Sequence, residues 1–123
     1  MVVAGHSLGG GLAQIVGAKI GQPAVSFSGP AALDTRHKFG LSRQLLINSV
    51  VNVIPSHDVV PLAGMLGGTV VTWDCHNDPF VCHMPMLAPC GMHALCPRND
   101  KHSMKCATAT GSSTMLQRIR AMV

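Results

Sequence analysis

The first part of the chain alternates between short apolar runs and one longer segment of helical periodicity. Residues 2–4 read as the end of a buried strand, and residues 24–28 read as a short strand that Gly29-Pro30 breaks. Between them, apolar side chains recur at helical spacing over residues 8–20, and Gly21 marks the end of that segment. The pattern predicts a strand, a helix packed closely against the sheet through its glycines and alanines, and a second strand.

The middle of the chain repeats this alternation. Residues 31–39, closed by Gly40, predict a short second helix, and residues 47–54, ended by Pro55, predict the strongest strand. Residues 70–73 predict one further strand. The order strand–helix–strand–helix–strand predicts an α/β fold with a parallel sheet and right-handed crossovers.

A Gly-x-Ser-x-Gly sequence stands where the first strand meets the first helix. In such an elbow the serine hydroxyl is exposed on a sharp turn, so Ser7 is the candidate nucleophile. The N–H of Leu8 then supplies one half of an oxyanion hole. We expect side chains at Gly5 or Gly9 to collide where strand and helix press together. The alternative is a glycine-rich turn with an ordinary N-cap serine.

A nucleophilic serine needs a histidine base and a carboxylate that orients it, in the chain order Ser, Asp, His. Asp58 follows the 47–54 strand, which places it at the same sheet edge as Ser7. A turn-forming aspartate is its alternative reading. The competing carboxylates are Asp34, which suits a helix N-terminus, and Asp74, Asp78 and Asp100.

The histidine is less constrained by the sequence. His83 is favoured because it lies where a loop would return after the 70–73 strand. Any of the others could be a surface or disulfide-loop histidine. The remaining candidates are His76, His93 and His102.

The charge, the aromatic content and the cysteine positions indicate which partners and which compartment to expect. The net charge is +4, but the basic residues near the end lack interleaved aromatics, so we expect no nucleic-acid partner. With no Tyr and one Trp, the core should be aliphatic and methionine-based. All five cysteines fall between residues 75 and 106, which favours a secreted or vesicular/vacuolar compartment, one or two local disulfides and an odd thiol.

A zinc site is the alternative use of the same region. The ligand types suit zinc, but no Cys-x-x-Cys pair occurs and the spacings are irregular, so no metal site is assigned. The residues concerned are Cys75, His76, Cys82, His83, Cys90, His93, Cys96, His102 and Cys106.

Four segments together resemble the class 3 (fungal-type) triacylglycerol lipases. The elbow Gly5–Gly10 and the next strand with its loop, Val25–Pro30, are similar to that family. So are the aspartate segment Val53–Pro61 and the pair Cys82-His83, the latter similar to protist and vacuolar-type relatives.

The resemblance covers residues 2–90 and implies an α/β-hydrolase fold. It implies Ser7 as nucleophile, Asp58 as orienting acid and His83 as base, cleaving lipid esters at a membrane or droplet surface without a cofactor. Residues 1–90 would be the C-terminal part of the catalytic domain, followed by a Cys/Met/basic tail over residues 91–123. The family's upstream strands and oxyanion loop are not in the chain, so the missing N-terminal half is an expected partner. A truncated, non-catalytic remnant or binding module is the alternative function.

Overall fold

A four-stranded parallel sheet flanked by helices organises residues 1–95, which are the residues that the computed structural model describes. The sheet order is β1-β2-β3-β4, so strands that follow one another in sequence are neighbours. The predicted α/β class and parallel sheet are confirmed. The strands are Val3–His6 (β1), Ala24–Phe27 (β2), Val50–Pro55 (β3) and Thr69–Trp73 (β4). The helices are Leu8–Ile20 (α1), Arg43–Ser49 (α2), Pro79–Cys82 (α3) and Ala88–Leu95 (α4).

Helix α1 packs on the sheet through its smallest residues. A Cβ added at Gly17 would lie 2.7 Å from the Cβ of Ala24, and one at Gly10 would lie 2.8 Å from Ser26 Oγ. A Cβ at Gly5 would lie 2.2 Å from the carbonyl oxygen of Gly9. The predicted close packing is therefore confirmed for Gly5, but the expected collision at Gly9 is wrong. A Cβ added at Gly9 would meet no atom within 4 Å. The backbone of Gly9 is instead the group that a side chain at position 5 would contact.

Two apolar cores lie on opposite faces of the sheet, because alternate residues of a strand point to opposite faces. The cluster on the α1 and α2 side consists of Ala18, Ala24, Leu33, Leu41, Leu46 and Val50. The cluster on the other side consists of Val53, Trp73, Cys75, Cys82 and Leu87. The expected methionine-based core is wrong for residues 1–95, where every methionine is exposed. Trp73 and the cysteines fill the space instead.

The predicted helix over residues 31–39 is wrong. Only the last part, Arg36–Phe39, forms a short 3-10 helix, which Gly40 ends with a φ of 66°. Asp34, expected to favour a helix N-terminus, instead accepts a hydrogen bond from the backbone N–H of Met65 at 2.6 Å. The segment is therefore shaped by contacts with the connection between β3 and β4 rather than by its own helical propensity.

The predicted strand over residues 47–54 begins three residues late. Residues 47–49 belong to α2, where the Ser42 side chain caps the helix by accepting from Leu45 N–H at 3.2 Å. After β4, helices α3 and α4 and the 3-10 turn Pro85–Leu87 were not predicted from the sequence. The proposed boundary at residue 90 falls inside α4. The tail beyond residue 95 lies outside the described residues.

Candidate active site

Ser7 occupies a sharp turn between β1 and α1. Its φ of 54° and ψ of −127° lie outside the regions that L-residues ordinarily adopt. The turn is held on both sides, since Ser7 N–H donates to Phe27 O at 3.0 Å and Ser7 O accepts from Gly10 and Gly11 N–H. The serine side chain makes no capping hydrogen bond to α1, which leaves its hydroxyl available for another partner.

Leu8, the predicted oxyanion donor, is the first residue of α1. The first N–H groups of a helix have no acceptor within the helix, and the helix dipole places partial positive charge there. The backbone at Leu8 is therefore suited to stabilising an anion that forms beside Ser7.

Asp58 lies in the turn that follows β3. Its backbone N–H donates to Pro55 O at 3.2 Å, and the residue is 2% exposed. One carboxylate oxygen, Oδ1, accepts from the backbone N–H of Val60 at 3.0 Å. This contact fixes the carboxylate plane and partly compensates its removal from water.

His83 follows α3 and links the other two residues. Its Nδ1 lies 3.0 Å from each carboxylate oxygen of Asp58, and its Nε2 lies 2.9 Å from Ser7 Oγ. The structure thus brings together all three residues that the sequence singled out, although they are separated by 25 and 76 positions.

The other candidates lie apart from this cluster or do something else. Asp78 caps α3 by accepting from Phe80 N–H, and the ring of His76 lies against His57 with centroids 6.3 Å apart. Asp34 binds Met65 as described above, Asp74 is exposed, and His93 lies on α4. Asp100 and His102 lie outside the described residues.

A disulfide joins Cys75 to Cys82, the residue immediately before His83. The expectation of a local disulfide is therefore confirmed, and Cys90 is disulfide-bonded as well. The Ser56 hydroxyl accepts from Cys75 N–H at 3.0 Å and donates to Cys75 O at 3.3 Å. Ser56 precedes Asp58 by two residues, so these contacts connect the aspartate turn to the histidine.

One residue of the cluster was overlooked at the level of sequence. His6 adjoins Ser7 and is not among the candidate histidines named above, yet its Nε2 lies 2.8 Å from the backbone carbonyl oxygen of His83. The two rings are 5.0 Å apart. Its only sequence signal was its position inside the elbow.

An apolar pocket of about 250 Å³ adjoins this histidine on the α4 side of the sheet. It is lined by His6, Phe27, Pro85, Ala88, Pro89 and Met92.

Within residues 1–95 no group of three His, Cys or acidic side chains is arranged to hold a metal ion. Cys75 and Cys82 are bonded to each other, which removes them from the zinc hypothesis as thiolate ligands. Cys96, His102 and Cys106 lie outside the described part of the chain. Over the same 1–95 range, no helix has the length and apolar character needed to cross a membrane.

No protein-family model matches the chain, and no curated protein matches it.

Proposed function

We propose that this chain is a serine hydrolase of carboxylic esters, built on part of an α/β-hydrolase fold. The observation that carries the proposal is the hydrogen-bonded series Asp58, His83, Ser7, with the serine at a positive φ in the strand-to-helix turn. A hydroxyl bonded to an imidazole that a buried carboxylate orients is the arrangement that activates a weak nucleophile.

The mechanism follows from which atoms face each other. Ser7 Oγ attacks the ester carbonyl carbon while its proton moves to His83 Nε2. Asp58 accepts from Nδ1–H and stabilises the imidazolium that forms. The tetrahedral oxyanion is stabilised at the α1 N-terminus by Leu8 N–H.

The intermediate then collapses into an acyl-enzyme. His83 returns the proton to the leaving alcohol oxygen as the bond from that oxygen to the carbonyl carbon breaks. A water molecule, deprotonated by the same Nε2, attacks the carbonyl carbon of the ester on Ser7. The bond from that carbon to Ser7 Oγ then breaks as His83 returns the proton to Oγ, which releases the carboxylic acid and restores the serine hydroxyl. The relay needs no metal or organic group at any step.

Apolar side chains around the site support a lipid-like ester as the substrate. Each of the three residues is followed in the chain by an exposed apolar one, namely Leu8, Val59 and Met84. The pocket beside His6 adds a further apolar surface. Burial of apolar acyl carbons against such surfaces favours binding by roughly 0.8 kcal/mol per methylene. We therefore propose acyl esters of lipids, presented at a membrane or droplet surface.

Covalent labelling of the 123-residue chain with a fluorophosphonate tests the proposal. We expect wild-type protein and Ser28→Ala to be labelled and to hydrolyse p-nitrophenyl esters, and Ser7→Ala to do neither. Ser28 is the matched control because, like Ser7, it is a serine with a positive φ, 52°. Asp58→Asn should lower kcat by about 10³–10⁴ because the imidazole then adopts the wrong tautomer. Labelling that persists in Ser7→Ala would contradict the assignment.

A non-catalytic binding module is the second candidate. Its supporting observation is a row of exposed apolar residues along α1, which lies beside β1 at one edge of the sheet. Under this alternative the chain binds another protein segment at that edge. A purified chain that is folded and is not labelled at Ser7 would favour it over the hydrolase.

A further inference from the structure

His6 connects the part of the candidate site that carries Ser7 to the part that carries His83. It is the last residue of β1 and directly precedes Ser7. Its Nε2 reaches the backbone carbonyl oxygen of His83, 77 residues further along the chain, at 2.8 Å. The imidazole rings lie 5.0 Å apart and are tilted by 43°. The contact therefore connects the strand that ends at the nucleophile to the backbone that carries the base.

The hydrogen-bond partners of His6 and His83 determine which ring nitrogen of each carries the hydrogen. A carbonyl oxygen can only accept, so His6 Nε2 carries a proton and donates it to His83 O. His83 Nδ1 faces the Asp58 carboxylate and donates, which leaves Nε2 unprotonated towards Ser7 in the neutral ring. The two neighbouring histidines are thus held as opposite tautomers, one as a donor to the backbone and one as a base.

The backbone around His83 has little support of its own. Helix α3 spans only Pro79–Cys82, and such a short helix is not stable without tertiary contacts. The disulfide to Cys75 ties this segment to the end of β4. The hydrogen bond from His6 ties it to the end of β1, on the side where Ser7 lies.

We propose that His6 is a positioning residue, whose Nε2–H holds the His83 carbonyl so that the His83 imidazole stays within hydrogen-bonding distance of Ser7 Oγ. This inference rests on the proposed hydrolase function. Side chains that set the geometry of a reacting group influence the rate steeply, because a displacement of about 1 Å at the reacting atoms lowers it by about 100-fold.

The test compares two substitutions at position 6. His6→Leu removes the donor but keeps an apolar wall for the pocket, whereas His6→Gln places an amide N–H at about the reach of Nε2. Identical substitutions at His57 are the matched controls. That residue also adjoins a site residue, but it is exposed and its ring lies against His76.

Fluorophosphonate labelling of Ser7 in a parallel sample gives the concentration of active sites. The kcat is the hydrolysis rate divided by that concentration, so unfolded molecules do not contribute to it. We expect His6→Leu to lower kcat by about 10- to 100-fold with KM nearly unchanged, and His6→Gln to recover most of the loss. Both His57 variants should match wild type. A merely structural role would instead lower Tm and the labelled fraction without changing kcat per site. Wild-type kcat in His6→Leu, or no recovery in His6→Gln, would overturn the proposal.

A second measurement tests the contact even if the chain hydrolyses no ester. Nuclear magnetic resonance of ¹⁵N-histidine-labelled protein should show His6 in the Nε2–H form, together with a low-field proton of His83 Nδ1 hydrogen-bonded to Asp58. We expect that proton signal to disappear in His6→Leu and to persist in His6→Gln and His57→Leu. Its persistence in His6→Leu would refute the positioning role. Absence of hydrolysis alone would refute only the proposed function.

Discussion

Ser7 combines an unfavourable backbone conformation with a demanding set of neighbours. Its φ of 54° and ψ of −127° are values that glycine tolerates and other residues adopt at a cost of about 1–3 kcal/mol. The surroundings impose this conformation, because β1 and α1 press together where Gly5 faces the Gly9 carbonyl. The same turn directs the hydroxyl to His83 instead of to the helix N-terminus. Strain here accompanies a hydroxyl that is directed at an imidazole.

Ser7→Gly should therefore stabilise the protein while removing any hydrolysis. Glycine relieves the backbone strain, and after its greater freedom in the unfolded chain is subtracted we expect a gain of about 1 kcal/mol in the free energy of unfolding. Ser7→Ala keeps its Cβ and so serves as the control without this gain. Urea unfolding measures both variants, and equal stabilities would show that the turn is unstrained.

At the scale of the elements, the segment that carries His83 depends on tertiary contacts for its position. Helix α3 has four residues, and its position depends on the Cys75–Cys82 disulfide and on the Ser56 hydroxyl, which bonds both the N–H and the carbonyl of Cys75. The aspartate turn and the histidine are thereby fixed to the same point at the end of β4. Distances within the site consequently depend on contacts outside it.

Removing the disulfide with Cys75→Ala/Cys82→Ala should lower both stability and turnover. Closing a loop with a sequence separation of 7 lowers the conformational entropy of the unfolded chain, which is worth about 2–3 kcal/mol. We expect the free energy of unfolding to fall by that amount. The kcat for ester hydrolysis should fall because His83 loses one of its two anchors. Chemical denaturation and steady-state kinetics measure the two effects. Ser56→Ala, which deletes only hydrogen bonds, should have a smaller effect of about 1 kcal/mol on stability, and a larger one would contradict this ranking.

The elements differ in how far local sequence determines them. Helix α1 was predicted with both of its ends. Its C-terminal end is determined locally, because Gly21 ends the helix in a left-handed conformation. The helix predicted over residues 31–39 from the closing Gly40 is wrong, and Asp34 there accepts from Met65 N–H, a tertiary contact that the local sequence does not indicate. Helix α2 was overlooked although Ser42 is a regular capping residue, because the β-branched run that follows dominated the pattern.

The same distinction applies to the candidate site. Ser7 and Asp58 could be predicted because each depends on a local motif at the end of a strand. His83 could only be preferred, since its proximity to Ser7 arises from folding across 76 positions. The contact from His6 to the His83 backbone has no local signature, so only the three-dimensional structure reveals it.

At the scale of the whole molecule, many large apolar side chains of residues 1–95 are exposed. The cores are built from alanine, valine, leucine, one tryptophan and cysteine, while the methionines of residues 1–95 are exposed. The most regular exposed group follows α1 at intervals of four, which places its members on one face of the helix. It consists of Leu8, Leu12, Val16 and Ile20, and it is called the α1 stripe here. Strand β1, beside it, is at an edge of the described sheet.

The α1 stripe should drive self-association of the isolated chain. Contiguous exposed apolar surface and an unpaired parallel strand edge both favour intermolecular contacts. Leu12, 53% exposed, and Val16, 44% exposed, contribute little to the core, so Leu12→Lys/Val16→Glu should leave Tm nearly unchanged and preserve the net charge. Sedimentation velocity should show a shift towards monomer and a higher soluble concentration. Leu45→Lys on α2, where the replaced residue is 46% exposed and is not part of the stripe, is the control and should change neither. Equal association of the double variant and the wild type would mean that the stripe is not the contact surface.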